Sequence, residues 1–114
     1  MKLEGEGKLV RVFIGESDTY HGKPLYQAIV ERIREEHFAG ATVIRGIEGY
    51  GASSRLHTAR ILRLSEDLPV VIEVVDTEER IEQLLPILDE MVRDGLVTVE
   101  KAHIITYRGS PPTA

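Results

Sequence analysis

Apolar and polar positions along the chain repeat with two different periods, and each period predicts its own kind of element. Residues 8–14 (KLVRVFI) are short, rich in β-branched side chains and bounded by Gly7 and Gly15, which predicts a strand. A polar loop, GESDTYHGK, follows over 15–23. Leu25, Ile29 and Ile33 then recur every four residues, with Tyr26 and Val30 widening the stripe. Glu31, Arg32, Arg34, Glu35 and Glu36 fill the opposite face, so the spacing predicts an amphipathic helix over 24–37. Pro24 suits its first position, where a missing N–H costs nothing, and His37 ends it as a cation near the dipole's negative pole. Gly40 marks a turn, and residues 41–47 (ATVIRGI) read as a second strand.

Residues 48–55 (EGYGASSR) have loop composition, and 57–64 (HTARILRL) set Ile61 between Arg60 and Arg63, as an extended arm would. The strongest strand signal is 68–75 (LPVVIEVV). Asp76 and Thr77 are placed to cap the next helix, with Glu79 at capping-box spacing from Asp76. Ile81, Leu84, Leu85, Leu88, Met91 and Val92 carry its stripe to about Arg93. Pro86 predicts a kink or a tight turn within it, and Gly95 takes the C′ position. Residues 96–107 read as the last strand and RGSPPTA as a tail.

The order β-α-β, loop, β-α-β predicts an α+β chain of ferredoxin-like split βαβ type. Its four-stranded antiparallel sheet would carry both helices on one face. It forms a single domain over 1–114, with a core of about 8–108 and a tail over 109–114. Val70, Val71, Ile72, Val74 and Val75 are apolar on both sides of one strand, and Leu9 and Phe13 oppose Val10, Val12 and Ile14 on another. Two helices cover one face only, so the second apolar face calls for a homo-oligomer packed sheet against sheet. The opposing reading is that Arg11, Glu73 and Arg45 interrupt that face enough to leave it wet.

Composition narrows the chemistry. The 114 residues contain no Cys, which excludes disulfides, thiolate metal ligands and thiol catalysis. A net charge of −5, no Trp and 5% aromatics argue against nucleic acid as a partner. No apolar run approaches membrane-spanning length and residues 1–7 lack a signal-peptide core, so the expectation is a cytoplasmic protein without membrane insertion. The absence of Asn, with only Gln27 and Gln83, is a thermostable style of composition.

Gly46, Gly49 and Gly51 cluster in RGIEGYGASSR, where bare backbone N–H groups could approach a phosphate and Arg55 could pair with it. The spacing fits no Rossmann or Walker pattern, and read from the residues alone a simple connecting turn accounts for it better than a ligand site does. His21, His37, His57 and His103 show no local metal-ligand spacing. Ser53 or Ser54 with His57 and Asp67 would compose a hydrolase triad only through a geometry that spacing does not reveal. Glu78, Glu79 and Glu82 are explained by the start of the second helix. No residue is assigned a catalytic role, and no metal ligand is assigned.

The segments KLVRVFIGESD, GKPLYQAIVERIRE, GATVIRGIEGYGASSRLHT, LRLSEDLPVVIEVVD and DGLVT resemble the family called domain of unknown function 190, over about residues 3–108. That family is similar in turn to the PII signal-transduction proteins, trimeric ferredoxin-like domains that bind adenine nucleotides between subunits. Gly40 to Val43 resemble the start of the second PII strand. Gly49, Tyr50 and Gly51 resemble the Gly-aromatic-Gly step at the base of its long loop. Asp94, Gly95 and Leu96 fall where PII has its glycine-rich B-loop, and Arg108 where PII has a phosphate-binding Arg.

The resemblance implies a homotrimer with ligand-binding residues Gly49, Tyr50, Gly51, Arg55, Gly95, Leu96 and Arg108. The ligand would be an adenine nucleotide. The 50–67 loop would signal to an unknown partner protein, such as a transporter. Only one B-loop glycine is present, and Leu96 and Val97 stand where PII has a basic residue, which leaves AMP, ADP and ATP all open. No tyrosine matches the PII modification site. A metal-binding trimer resembling the cation-tolerance protein CutA, using His57 or His21, is the alternative, and a small hydrolase is a third reading.

Overall fold

A computed structural model describes residues 4–49, 57–58 and 67–109. Its elements are β1 (Gly5–Gly15), β2 (Thr19–Tyr20), β3 (Lys23–Pro24), α1 (Leu25–Glu35), β4 (Thr42–Arg45), β5 (Glu48–Gly49), β6 (His57–Thr58), β7 (Pro69–Thr77), α2 (Glu78–Met91) and β8 (Leu96–Ile104). The main sheet has the order β4-β7-β1-β8 and every pairing in it is antiparallel. This is the split βαβ arrangement that the alternation of periods predicts, an α+β fold of ferredoxin-like type.

The alternation along β1 and β7 decides the core. Val10, Val12 and Ile14 of β1 and Val70, Ile72 and Val74 of β7 are buried on the face that carries the helices. They meet Leu25, Ala28, Ile29 and Ile33 of α1 and Ile81, Leu84, Leu88 and Met91 of α2. The helical stripe spacing is what brings one row of each helix onto this layer.

The other face is banded. Ile44, Val71, Phe13 and Leu96 pair in register and form one apolar row across all four strands. Three of these side chains stay open, Phe13 at 37%, Ile44 at 45% and Leu96 at 55% exposure. The next row is Thr42, Glu73, Arg11 and Thr98. Arg11 Nε donates to Glu73 at 2.9 Å, and Arg11 Nη1 also donates to Glu100. These two carboxylates, Glu73 first, hold the guanidinium pKa above its ordinary value. Arg45 is not on this face. It pairs in register with Val70, which lies under the helices, and its guanidinium joins Glu16.

Several local expectations need correction. The polar stretch after β1 is not simply a loop, because β2 and β3 form a small hairpin there. Its turn is His21-Gly22, with φ values of 49° and 84°, the two left-handed residues that a type I′ turn demands. Pro24 is the N-cap of α1 and not its first helical residue. The helix ends at Glu35 in a Schellman motif: His37 N–H donates to Arg34 O, and Phe38 N–H to Ile33 O at 3.2 Å. His37 occupies the left-handed C′ position at φ 62°, beyond the helix.

Asp76 does not cap α2. Thr77 does, accepting from Arg80 N–H at 3.3 Å. Pro86 lies within one continuous helix. Gly95 is not at C′, since the C-cap is Val92. It is required by close approach: a Cβ there would sit 2.6 Å from Phe13 O. The last strand stops at Ile104, short of Tyr107.

Candidate functional site

Four of the glycines in close approach, Gly15, Gly46, Gly49 and Gly95, lie at one end of the sheet, and Gly7 makes another at the opposite end, where a Cβ would sit 2.7 Å from Asp76 O. Gly46 N–H donates to Pro69 O at 2.7 Å, and a Cβ on Gly46 would meet the Pro69 ring at 2.8 Å. Gly49, two residues into the β5–β6 hairpin base, lies over the same ring, where a Cβ would approach to 3.2 Å. A Cβ on Gly15 would collide with the Asp67 carboxylate at 2.6 Å. These glycines therefore let chain segments pack where no side chain fits.

Around them the turn after β1 is tightly tied. Ser17 N–H donates to Asp67 Oδ1 at 2.6 Å, Gly15 N–H to Asp18 Oδ2 at 2.9 Å and Glu16 N–H to Leu68 O at 2.8 Å. Gly95 and Leu96 come to the same end, beside Phe13. Two of the segments expected at a ligand site, Gly49 and Gly95–Leu96, thus share one end of the sheet, separated by the width of β7 and β1.

Arg108 does not join them within a protomer. It follows the far end of β8, and Tyr107 beside it donates from Oη to Ala39 O at 2.5 Å, in the turn between α1 and β4. Eight residue steps along β8 place the two ends about 26 Å apart. Tyr50, Gly51 and Arg55 lie outside the described residues, as do Ser53 and Ser54. His57 is described in its backbone pairing with Gly49.

Arg93 was missed from the sequence. It stands exposed in the turn before Gly95 and makes no ion pair with any described residue, so a free cation sits at the glycine-bearing end. The signal was present as a basic residue two positions before the single B-loop glycine. Phe13, which the sequence pattern puts on the second apolar face, also lies against Gly95, where a Cβ would sit 2.6 Å from its carbonyl oxygen.

Among the described residues, no three His, Asp or Glu side chains gather as a metal ligand set. His103 Nδ1 lies 2.7 Å from Glu6, and the pair is exposed at the far end of the sheet. His21 stacks on Tyr20 at 4.1 Å between ring centres. Among the described residues, no helix is long and apolar enough to cross a membrane.

Comparison with known proteins places this arrangement. A family model designated DUF190 and described as "Uncharacterized ACR" matches residues 7–104. A UPF0166 protein of Aquifex aeolicus is 38% identical over 98 residues, covering 86% of this chain and 92% of the relative. A UPF0166 protein of Methanocaldococcus jannaschii is 37% identical over 105 residues, covering 91% of this chain and 94% of the relative. The matched span runs from within β1 to the last residue of β8, so it contains both glycine-bearing segments at the sheet end, and the chain belongs to the DUF190 family.

Proposed function

We propose that the chain is a homotrimeric regulator that binds an adenine nucleotide at its subunit clefts and passes the bound state to a partner protein through the 50–67 loop. One observation carries the reading. The apolar row Ile44, Val71, Phe13 and Leu96 lies at the same end of the sheet as Gly49 and Gly95. If other copies cover that row, both glycine segments fall at the boundary between copies, where a ligand would touch two chains at once.

Each segment then has a role. Backbone N–H groups of Gly49, Tyr50 and Gly51 would approach the phosphate, and Arg55 and Arg93 would supply charge. Leu96 and Phe13 offer an apolar surface to a base. Arg108 would come from a neighbouring copy, since its own protomer holds it at the other end. The resemblance of the Gly49–Gly51 step to PII supports this reading. The nucleotide would act by differential affinity for loop conformations, and could shift them by no more than that difference.

Isothermal titration with AMP, ADP and ATP, beside light-scattering mass, tests the proposal. Saturable heat at one nucleotide per chain and the mass of a trimer are expected. No heat and no thermal shift with any of the three would overturn nucleotide binding, and a monomeric mass would overturn the trimer.

A further inference from the structure

The charged side chains of the open sheet face do not balance. Alternation puts the odd residues of β1 and β7 and the even residues of β4 and β8 on that face, away from the helices. Among the described residues of these strands, the charged ones so placed are Arg11, Glu73 and Glu100, one cation and two anions. β4 adds Thr42 and Ile44, which are uncharged. Arg11 Nε donates to Glu73 at 2.9 Å, and its Nη1 donates to Glu100. The remaining cations of the main sheet belong to its other side. Lys8 and Lys101 are partners in register there, and Lys8 Nζ lies 3.2 Å from Glu78. Arg45 is on that side too and joins Glu16. Arg93 stands in the turn before β8, and the row of Ile44, Val71, Phe13 and Leu96 separates it from the three charges.

Apolar side chains flank these charges. The row just named lies on one side of Arg11 and Glu73, and Val75 and Leu9 lie on the other, in register with Glu100. A cover that buries both sets of apolar side chains buries the three charges with them. Copies related by a rotation axis keep each group at its own height along that axis, so near the axis each cluster meets its own equivalents. Three copies, each with one guanidinium and two carboxylates, bring together three cations and six anions. A buried charge without a cation of its own is costly, and a carboxylate escapes that cost by taking up a proton. Glu100 is the one placed to do so. Its side chain is 56% exposed in the single copy against 32% for Glu73, so it has more hydration to lose.

We infer that covering the open sheet face with other copies places one proton per copy on Glu100, which makes assembly respond to acid. The inference rests on the homo-oligomer in the proposed function and names what regulates it. In acid Glu100 is neutral with or without a cover, and assembly is at full strength. As pH rises, the proton must be drawn from a scarcer supply and assembly weakens, until the covered carboxylate stays charged and the loss levels off.

Fluorescence-detected sedimentation velocity over a dilution series, at about pH 7.5 and about pH 5.5, tests it with full-length wild type, Glu100→Gln and Glu82→Gln. Wild type is expected to reach half-assembly at a concentration about tenfold or more lower in acid. Glu100→Gln keeps the shape and sheds the charge. It is expected to assemble at the higher pH as tightly as wild type does in acid, with no pH dependence left, a gain that misfolding cannot produce. Glu82→Gln removes the same charge from an exposed position on α2 and is expected to behave as wild type. A wild type whose half-assembly concentration is the same at both pH values would overturn the inference and leave the oligomer standing. So would a pH dependence that survives in Glu100→Gln, which would belong to histidine. An equal gain in Glu82→Gln would also overturn it, by assigning the effect to overall charge. A wild type that is monomeric throughout would overturn both the inference and the oligomer it rests on.

Discussion

Among the described residues, Asp76 is the only charged or polar side chain that is buried, at 4% exposure, and it holds the turn between α1 and β4 in place. Its Oδ2 accepts from Ala39 N–H at 2.9 Å, and Oδ1 accepts from its neighbour Thr77 N–H at 2.7 Å. Replacing it with Ala removes two hydrogen bonds to a charged acceptor, each worth about 1.5–3 kcal/mol, and leaves two N–H groups without that acceptor. The expected loss is about 3–6 kcal/mol, a large share of the roughly 5–15 kcal/mol that holds a domain of this kind folded. Asp76→Asn keeps one acceptor oxygen and should lose about half as much. The chain has no Trp, so urea unfolding is best followed by far-UV circular dichroism, at one protein concentration because assembly would shift the midpoint. The midpoint should fall with the slope unchanged. An Asp76→Ala protein within about 1 kcal/mol of wild type would refute the argument that this carboxylate satisfies the turn.

Two further expectations concern the surface. His37→Gly relieves a left-handed residue at φ 62°, at a saving of about 1–2 kcal/mol that the more flexible unfolded chain offsets by about 0.5–1. The melting temperature should rise by about 2–6 °C in a thermal scan, and a fall would show that the imidazole contributes a contact of its own. Lys23 first, then Gln27, holds the Glu31 carboxyl below its ordinary 4.5, while Glu31 holds the Lys23 amine above its ordinary 10.5. The depressed carboxyl contributes stability above its unfolded pKa and loses it as pH falls through the folded one. The raised amine contributes below its unfolded pKa and loses it as pH rises through the folded one. Wild type and Glu31→Gln should therefore differ most near neutral pH and converge in strong acid and strong base, as read by urea midpoints. A gap that persists in acid would assign the effect to packing.

The layers of the fold were legible because long elements repeat their signal. Val70, Ile72 and Val74 alternate inward, and Ile81, Leu84 and Leu88 recur on one helical face. What was misread turned on single positions with two meanings. Asp76 stands at capping-box spacing from Glu79, yet its parity with Val70, Ile72 and Val74 puts it on the buried face, and the strand's period won. The same parity places Arg45, though exposed, on the helix-bearing side of the sheet with Val70 and not among the open-face charges. The β2–β3 hairpin was hidden because His21-Gly22 stands where Asn-Gly would have announced a type I′ turn. Of the candidate site, the glycine pattern was readable in the sequence, but the distance between Gly95 and Arg108 depends on the direction in which β8 runs. The close approaches at Gly15 and Gly46 depend on Asp67 and Pro69, neighbours far along the chain or across strands.

The central place of β1 also sets a timetable for synthesis. It is made well before both its neighbours, β7 at Pro69–Thr77 and β8 at Leu96–Ile104. At ordinary ribosomal speeds the 89 residues between Gly15 and Ile104 take roughly 4–18 s to add. Through that interval the apolar centre of the sheet has at most one of its two partners. A nascent chain that stops before β8 cannot complete it, so the sheet closes only once Ile104 has been added, and a frameshift just before β8 would be as damaging to it as one before β7.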